Sequence, residues 1–314
     1  MINFFVNNGF FKIEINNGYL YGSLIDIMNR AAPLVILGIG MTLVIAKEGI
    51  DISVGSVLAI SGSLAIYLLD GMPVWVAIIA ALSIGALCGL WNGVLVSLLG
   101  IQPMVATLIL MTVGRGIAQL ITNGKILTTS NSAYEFIGKG HLLGLPFSVF
   151  IAAAVFLIAY TIKKRTSLGL FLEATGANRS ASEYAGIQPK RIFLLVYTIC
   201  GLCAAIGGLI ISSNISSADA NNAGLWYELD AILAVVIGGT SMRGGRFYLG
   251  GTVIGALFIQ SLTTTIYAMG IKAETILIVK AIVVIIVCLL QSEQFREIFI
   301  SSRRRWPNEI AASY

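Results

Sequence analysis

Nine apolar runs, each bounded by polar or charged residues, leave this chain little choice of fold. They cover about 24–46, 53–69, 74–98, 103–122, 147–162, 191–213, 229–240, 247–269 and 275–291. An α-helix needs about 20 residues to cross the hydrocarbon of a bilayer, and helices or closed barrels are the only backbones that satisfy their own polar groups there. Most of the runs have that length. The run at 229–240 is too short and is expected to form a broken or half helix. The first run can begin near Leu24 only if Asp26 and Arg30 sit at the interface; its firm core is Ala31–Ala46. The expected fold class is therefore an all-α polytopic membrane protein with nine transmembrane segments, built as a single integral domain over 1–314.

Composition supports this class and excludes others. Hydrophobic residues make up 57% of the chain and charged residues 11%, against roughly 25% charged in a soluble domain. The net charge of +5 is no nucleic-acid signature, because the basic residues cluster at the ends of the apolar runs. Cys88, Cys200, Cys203 and Cys288 all fall inside apolar runs, so neither a disulfide framework nor a metal knuckle is expected, and the CxxC spacing at 200–203 reads as small residues in helix packing.

Residues 163–191 are the main polar interruption. Lys163, Lys164, Arg165, Arg179, Lys190 and Arg191 mark this face as cytoplasmic. The stretch has more design than a connector. Leu168–Thr175 reads as a short helix stopped by Gly176 in the left-handed C′ position. Asn178 is placed to cap a second helix, with Ser180 and Glu183 as an alternative capping box, and Gly186 to end it before Pro189 opens the next span. Two short capped helices outside the membrane, carrying Leu168, Glu173, Gly176, Asn178 and Gly186, make a docking surface for another protein.

With 163–191 inside, alternation puts Lys47, Arg243, Arg246, Arg296, Arg303, Arg304 and Arg305 on the same side. Only Lys12, Arg30, Lys125, Lys139 and Lys272 fall outside. This positive-inside bias places the C-terminus in the cytoplasm and the N-terminus outside.

The usual signatures of catalysis are missing. His141 is the single histidine, so no zinc motif of the usual spacing and no Ser-His-Asp site is expected. The glycine-rich stretch 238–246 lacks the lysine placement and strand–helix context of a phosphate loop and reads as a tight turn. The chain is not expected to be an enzyme, to hydrolyse ATP by itself, or to hold a cofactor or metal.

Polar residues within spans are costly and face a cavity or another helix. Asn92 lies between Trp91 and Gly93; Arg115 and Gln119 share one helix face; Glu228 and Asp230 open the short run. Trp91, Asn92, Gln119 and Trp226 are candidate path residues for a neutral polyol, which needs hydrogen bonds and aromatic stacking. For each, interhelical bonding or interfacial anchoring is the plainer role. Asp51 or Ser53 is placed to cap the helix after 49–53. The turns near 49–55 and 238–246 both lead into small-residue helices and hint at a duplicated half.

These stretches resemble the permease subunits of bacterial ABC importers for monosaccharides, the ribose, galactose and xylose type. The likeness rests on 40–46, 49–55, 106–108, 114–116, 173–178 and 229–241, and runs from Leu24 to Gln291. At 29–33, 90–93 and 218–226 the chain looks closest to galactofuranose importer permeases. The resemblance implies a pore-forming subunit that pairs with a second permease, either itself or a sister. It would receive sugar from a periplasmic binding protein and be driven by a cytoplasmic ATP-binding subunit docked at 163–191, in the inner membrane. Family members carry a further helix upstream of 24–46, which would make ten and bring both ends inside; this chain is expected to lack it. The competing reading is a self-sufficient secondary transporter, with Glu228 and Asp230 as its only candidate ion site.

Overall fold

The computed structural model describes residues 14–16, 19–270 and 273–291. Six of its helices are long and apolar enough to cross a membrane: α1 (Ser23–Ile45), α3 (Val74–Ser97), α4 (Pro103–Thr122), α6 (Phe147–Arg165), α9 (Pro189–Ile215) and α11 (Leu249–Ala268). Between them lie α2 (Val54–Leu68), apolar but shorter, α5 (Ser132–Lys139), α7 (Ser167–Ala177), α8 (Arg179–Tyr184) and α10 (Tyr227–Ile237); α12 (Ala273–Gln291) follows. The protein is thus a helical, multi-pass membrane protein. The run at 229–240 is a helix of 11 residues, a half-span as its length required.

Three short antiparallel pairs qualify the all-α expectation. They join β1 (Glu14–Asn16) to β2 (Tyr19–Tyr21), β3 (Leu127–Thr128) to β6 (Ser217–Ala218), and β4 (His141–Leu142) to β5 (Leu145–Pro146). The first precedes α1, and the other two are formed by segments between the long helices. The β3–β6 pair matters most, because it fastens the segment after α4 to the segment after α9.

The chain divides into two compact units, the second starting at Thr263 and containing α12. In the first, α9 is the central helix and packs along α3, α1 and α2. The spanning window of α1 is 83% buried inside the protein, against 17% for α6, which places α1 in the interior and α6 at the periphery. The α3–α9 crossing explains why α3 carries glycine at every fourth position. A Cβ at Gly93 would stand 3.0 Å from the Leu194 Cα, and one at Gly89 2.9 Å from the Thr198 Cα, while Gly85 is closed off by Gly201 and Ala205. Without side chains on this stripe the two backbones pack directly. Dispersion then drives association in lipid, where apolar burial offers no gain. Asp26 and Arg30, at the start of α1, are exposed as the span boundary demanded.

Candidate translocation face and coupling surface

Arg115 and Gln119 lie one turn apart on α4, and together they hold the loop between β6 and α10. The Arg115 guanidinium donates to the carbonyls of Ala223 and Ala220, the latter at 3.4 Å, and the Gln119 amide donates to Asn221 Oδ1 at 2.8 Å. The loop is stiffened from within. Asp219 accepts from the backbone N–H of Asn221 and Asn222 and from the Asn222 amide at 2.7 Å. These donors hold the Asp219 carboxyl below its ordinary range, the Asn222 side chain contributing most. At its far end Gly224, with φ +69°, lies directly on Gly55 in the first turn of α2. A Cβ at Gly55 would stand 2.5 Å from the Gly224 carbonyl oxygen and would also strike the Glu228 carboxylate. The loop therefore reaches from the β3–β6 pair down to the start of a half-helix.

Thr112, Gln119, Asn221, Asn222 and Trp226 are exposed on this face, and Gly116 beside them has open space around it. The pattern at 112, 115, 116 and 119 is one helical stripe that is polar or small, on a helix whose other exposed residues, Leu108, Val113 and Leu120 among them, are all apolar. Polar groups exposed within a span face water, a substrate path or a partner subunit rather than lipid. The structure thus brings Gln119 and Trp226 to one loop–helix unit and adds Asn221, whose role the sequence did not mark.

Asn92 sits elsewhere. It is fully buried, and its amide donates to Ser53 Oγ at 2.8 Å and to Asp51 Oδ1 at 3.4 Å. Ser53 gives both its N–H and its hydroxyl to the same Asp51 oxygen, at 3.0 and 2.6 Å, and the Cys200 thiol also donates to Asp51. Asp51 therefore does not cap α2. It folds the turn 46–53 back on itself, and Ser53 at the N-cap has helical φ, so its side chain cannot cap either. Burial pushes the Asp51 carboxyl up, against the opposing pull of these donors. Trp91, the preceding residue, is exposed on α3 and shares none of these bonds.

The second region is the pair α7 and α8. Asn178 Oδ1 accepts from the Ala181 N–H at 2.9 Å and caps α8. Gly186, at φ +83°, ends that helix, with its N–H donating to Glu183 O and the Ile187 N–H to Ser182 O. Both sequence expectations hold, whereas the Ser180–Glu183 box does not form: Glu183 pairs with Arg179 at 3.6 Å. Gly176 needs correction. It lies within α7, which runs to Ala177, and its φ is not positive. It is glycine because α7 lies there against the end of α1: a Cβ would strike the Ala46 carbonyl and stand 2.7 Å from the Gly245 nitrogen. The Gly245 N–H donates to that same carbonyl at 3.0 Å. Glu173 pairs with Lys163 at 3.2 Å, and the Lys163 ammonium also bonds the Phe247 carbonyl and lies 4.0 Å from the centre of the Phe247 ring. Leu168 is half-buried, while Leu170 and Tyr184 are exposed, Tyr184 at 93%. The charges of this stretch thus position the helices, and the outward surface is a mixture of apolar and basic groups. Among the described residues no cluster of metal-ligating side chains occurs.

Comparison with known proteins places these features. The family profile described as a branched-chain amino acid transport system permease component matches residues 23–288. The galactofuranose transporter permease of Escherichia coli (strain K12) is 50% identical over 94% of this chain and 87% of its own. A fructose import permease of Bifidobacterium longum (strain NCC 2705) is 40% identical over 92% and 83%. The ribose import permease of Escherichia coli (strain K12) is 38% identical over 88% of both chains. No solved structure matches.

Proposed function

The chain belongs to the permease-component family that its residues 23–288 match, and from that premise we propose that it is the membrane-spanning subunit of an ATP-driven sugar importer. The observation that carries this is the near-complete alignment with three permeases named for galactofuranose, fructose and ribose. At 50% identity, galactofuranose is the sugar we assign. The protein is not itself an enzyme; ATP hydrolysis belongs to a separate cytoplasmic subunit, and delivery to a periplasmic sugar-binding protein.

In this reading the stripe of α4 and the 219–226 loop face a second permease, and the sugar passes between the two. Gln119 and Asn221 offer amide donors and acceptors, and Trp226 at the end of the same loop an exposed aromatic ring, the chemistry a neutral sugar needs. Trp91 is a further exposed aromatic residue, on α3. Asn92 in this reading does not line the path but holds the 46–53 turn. The turn in turn fixes α2, against which Gly224 lies. The ATP-binding subunit docks on α7 and α8 from the cytoplasm, where the basic residues of 163–191 put that face, and the C-terminus lies on the same side. Alternating access follows if ATP-driven closure of the docked subunits tilts α7, whose Gly176 bears directly on the end of α1.

The secondary-transporter reading needs the Glu228 and Asp230 pair as an ion site. Glu228 is buried against the start of α2 rather than open to a path. Purification of the permease from its native membrane tests the proposal. An ATPase should accompany it in stoichiometric amount and hydrolyse ATP faster when sugar-loaded binding protein is added. A permease that purifies alone and binds no ATPase would refute it.

A further inference from the structure

Lys47 is the one buried lysine of the turn that joins α1 to α2, and its charge is unanswered. The residue is 3% exposed, and its ammonium has no hydrogen-bond partner among the described residues. It lies 4.5 Å from the centre of the Phe193 ring on α9, and the Arg179 guanidinium of α8 lies over the same ring at 5.6 Å. Two cations thus share one aromatic ring. Arg179 has Glu183 at 3.6 Å, whereas among the described residues the carboxylate acting on Lys47 is the neighbouring, exposed Glu48, whose pull is smaller than the effects of burial and of Arg179. Burial and the Arg179 charge together lower the Lys47 ammonium to about 8. A desolvated ammonium without a counter-charge is among the least favourable groups a protein can hold, so a carboxylate brought to it would relieve a large cost.

The surroundings say what would answer it. Lys47 lies at the root of the α7–α8 surface, since Ala46 O is the atom against which Gly176 packs and Arg179 opens α8. That surface carries Lys163, Lys164, Arg165, Arg179, Lys190 and Arg191 against only Glu173 and Glu183, both already paired. We propose that the ATP-binding subunit docked on α7 and α8 inserts an aspartate or glutamate side chain beside Arg179, and that this carboxylate pairs with Lys47. The inference rests on the importer reading above. Charge complementarity selects a protein carboxylate over a lipid phosphate, because the ammonium lies beneath the docking helices and not on the basic rim where headgroups collect.

The test uses the permease in lipid nanodiscs and its co-purified ATP-binding subunit, separated and titrated back. Zero-length carbodiimide coupling of the reassembled wild-type complex should yield an amide between Lys47 Nζ and one acidic residue of the ATP-binding subunit. Lys47→Met should weaken assembly at least tenfold while leaving the thermal midpoint of the free permease equal or higher, because a buried charge has been removed. Neutralising the coupled acid on the subunit should weaken wild type to the same degree and leave Lys47→Met unaffected. Wild-type affinity in Lys47→Met, or coupling confined to Lys163 and Lys164, would overturn the proposal. So would an affinity set by the anionic-lipid content of the disc instead of by Lys47. If wild type itself binds no ATP-binding subunit, the importer reading fails, and that outcome is distinct from all of these.

Discussion

Replacing Gly176 separates two physical reasons for a glycine. A Cβ at this position would meet the Ala46 carbonyl and stand 2.7 Å from the Gly245 nitrogen, where ordinary separation is about 3.5 Å. Both obstacles are backbone, so no rotamer change relieves them; the nitrogen alone demands a retreat of α7 by roughly 0.8 Å, and the closer Ala46 carbonyl demands more. Overpacking of this kind costs about 1–3 kcal/mol. Loosening the Gly245 N–H to Ala46 O bond, 3.0 Å long, costs about 1 kcal/mol more. Gly176→Ala should therefore lower stability by about 2–4 kcal/mol, and Gly176→Asn by more, because a longer side chain meets the same wall. A glycine kept for a left-handed cap would give the opposite order, since Asn is the best substitute there. Thermal unfolding of the purified permease ranks the variants, and uptake per assembled complex reads the coupling. An Asn variant as stable as the Ala variant, or wild-type ATPase stimulation in both, would refute the close-approach account.

Other outcomes follow from the same geometry. Asn92→Leu removes the donors to Ser53 and Asp51, so thermal stability should fall by about 1–3 kcal/mol while uptake per surviving complex stays at the wild-type level; a selective loss of uptake would instead put Asn92 in the sugar path. Lys47 titrates at about 8 when folded and at 10.5 when free. The unfolded chain thus binds the extra proton between those values, stability should rise with pH across that window and be lost as pH falls through about 8, and Lys47→Met should abolish the slope. A pH-independent wild-type midpoint from 8 to 10.5 would contradict the burial of that charge. Ser167 and Asn222 are both exposed, so cysteines placed there report the topology: only the one at 222 should react with an impermeant reagent added outside intact cells, and equal labelling would refute the orientation.

The helices were legible wherever local chemistry sets them. Asn178 and Gly186 were found because a cap and a left-handed stop are decided by a few neighbouring residues. The half-helix at 227–237 followed from length alone. Gly176 was misread because a glycine two residues before the Asn178 cap looks the same in sequence whether it turns the chain or admits another backbone. The contact that decides it, with Ala46 and Gly245, comes from residues far away in the chain. Asp51 was misread for a related reason. A capping aspartate and an aspartate folded back on Ser53 have the same spacing, and Asn92 and Cys200, which hold it, come from other helices. Arg115 and Gln119 were correctly placed on one face. That this face grips the 219–226 loop was not readable, because carbonyl acceptors leave no trace in side-chain identity. Nor did Lys47 stand out: a lysine after an apolar run reads as an interfacial anchor until the structure shows it buried.

The account turns on whether energy enters through a docked ATPase. Proteoliposomes containing the permease, its ATP-binding subunit inside and sugar-loaded binding protein outside, decide it by uptake of labelled galactofuranose. The account predicts accumulation only with internal ATP, unaffected when ion and proton gradients are collapsed and absent with the permease alone. Uptake by the permease alone, driven by an imposed ion or proton gradient, would contradict it.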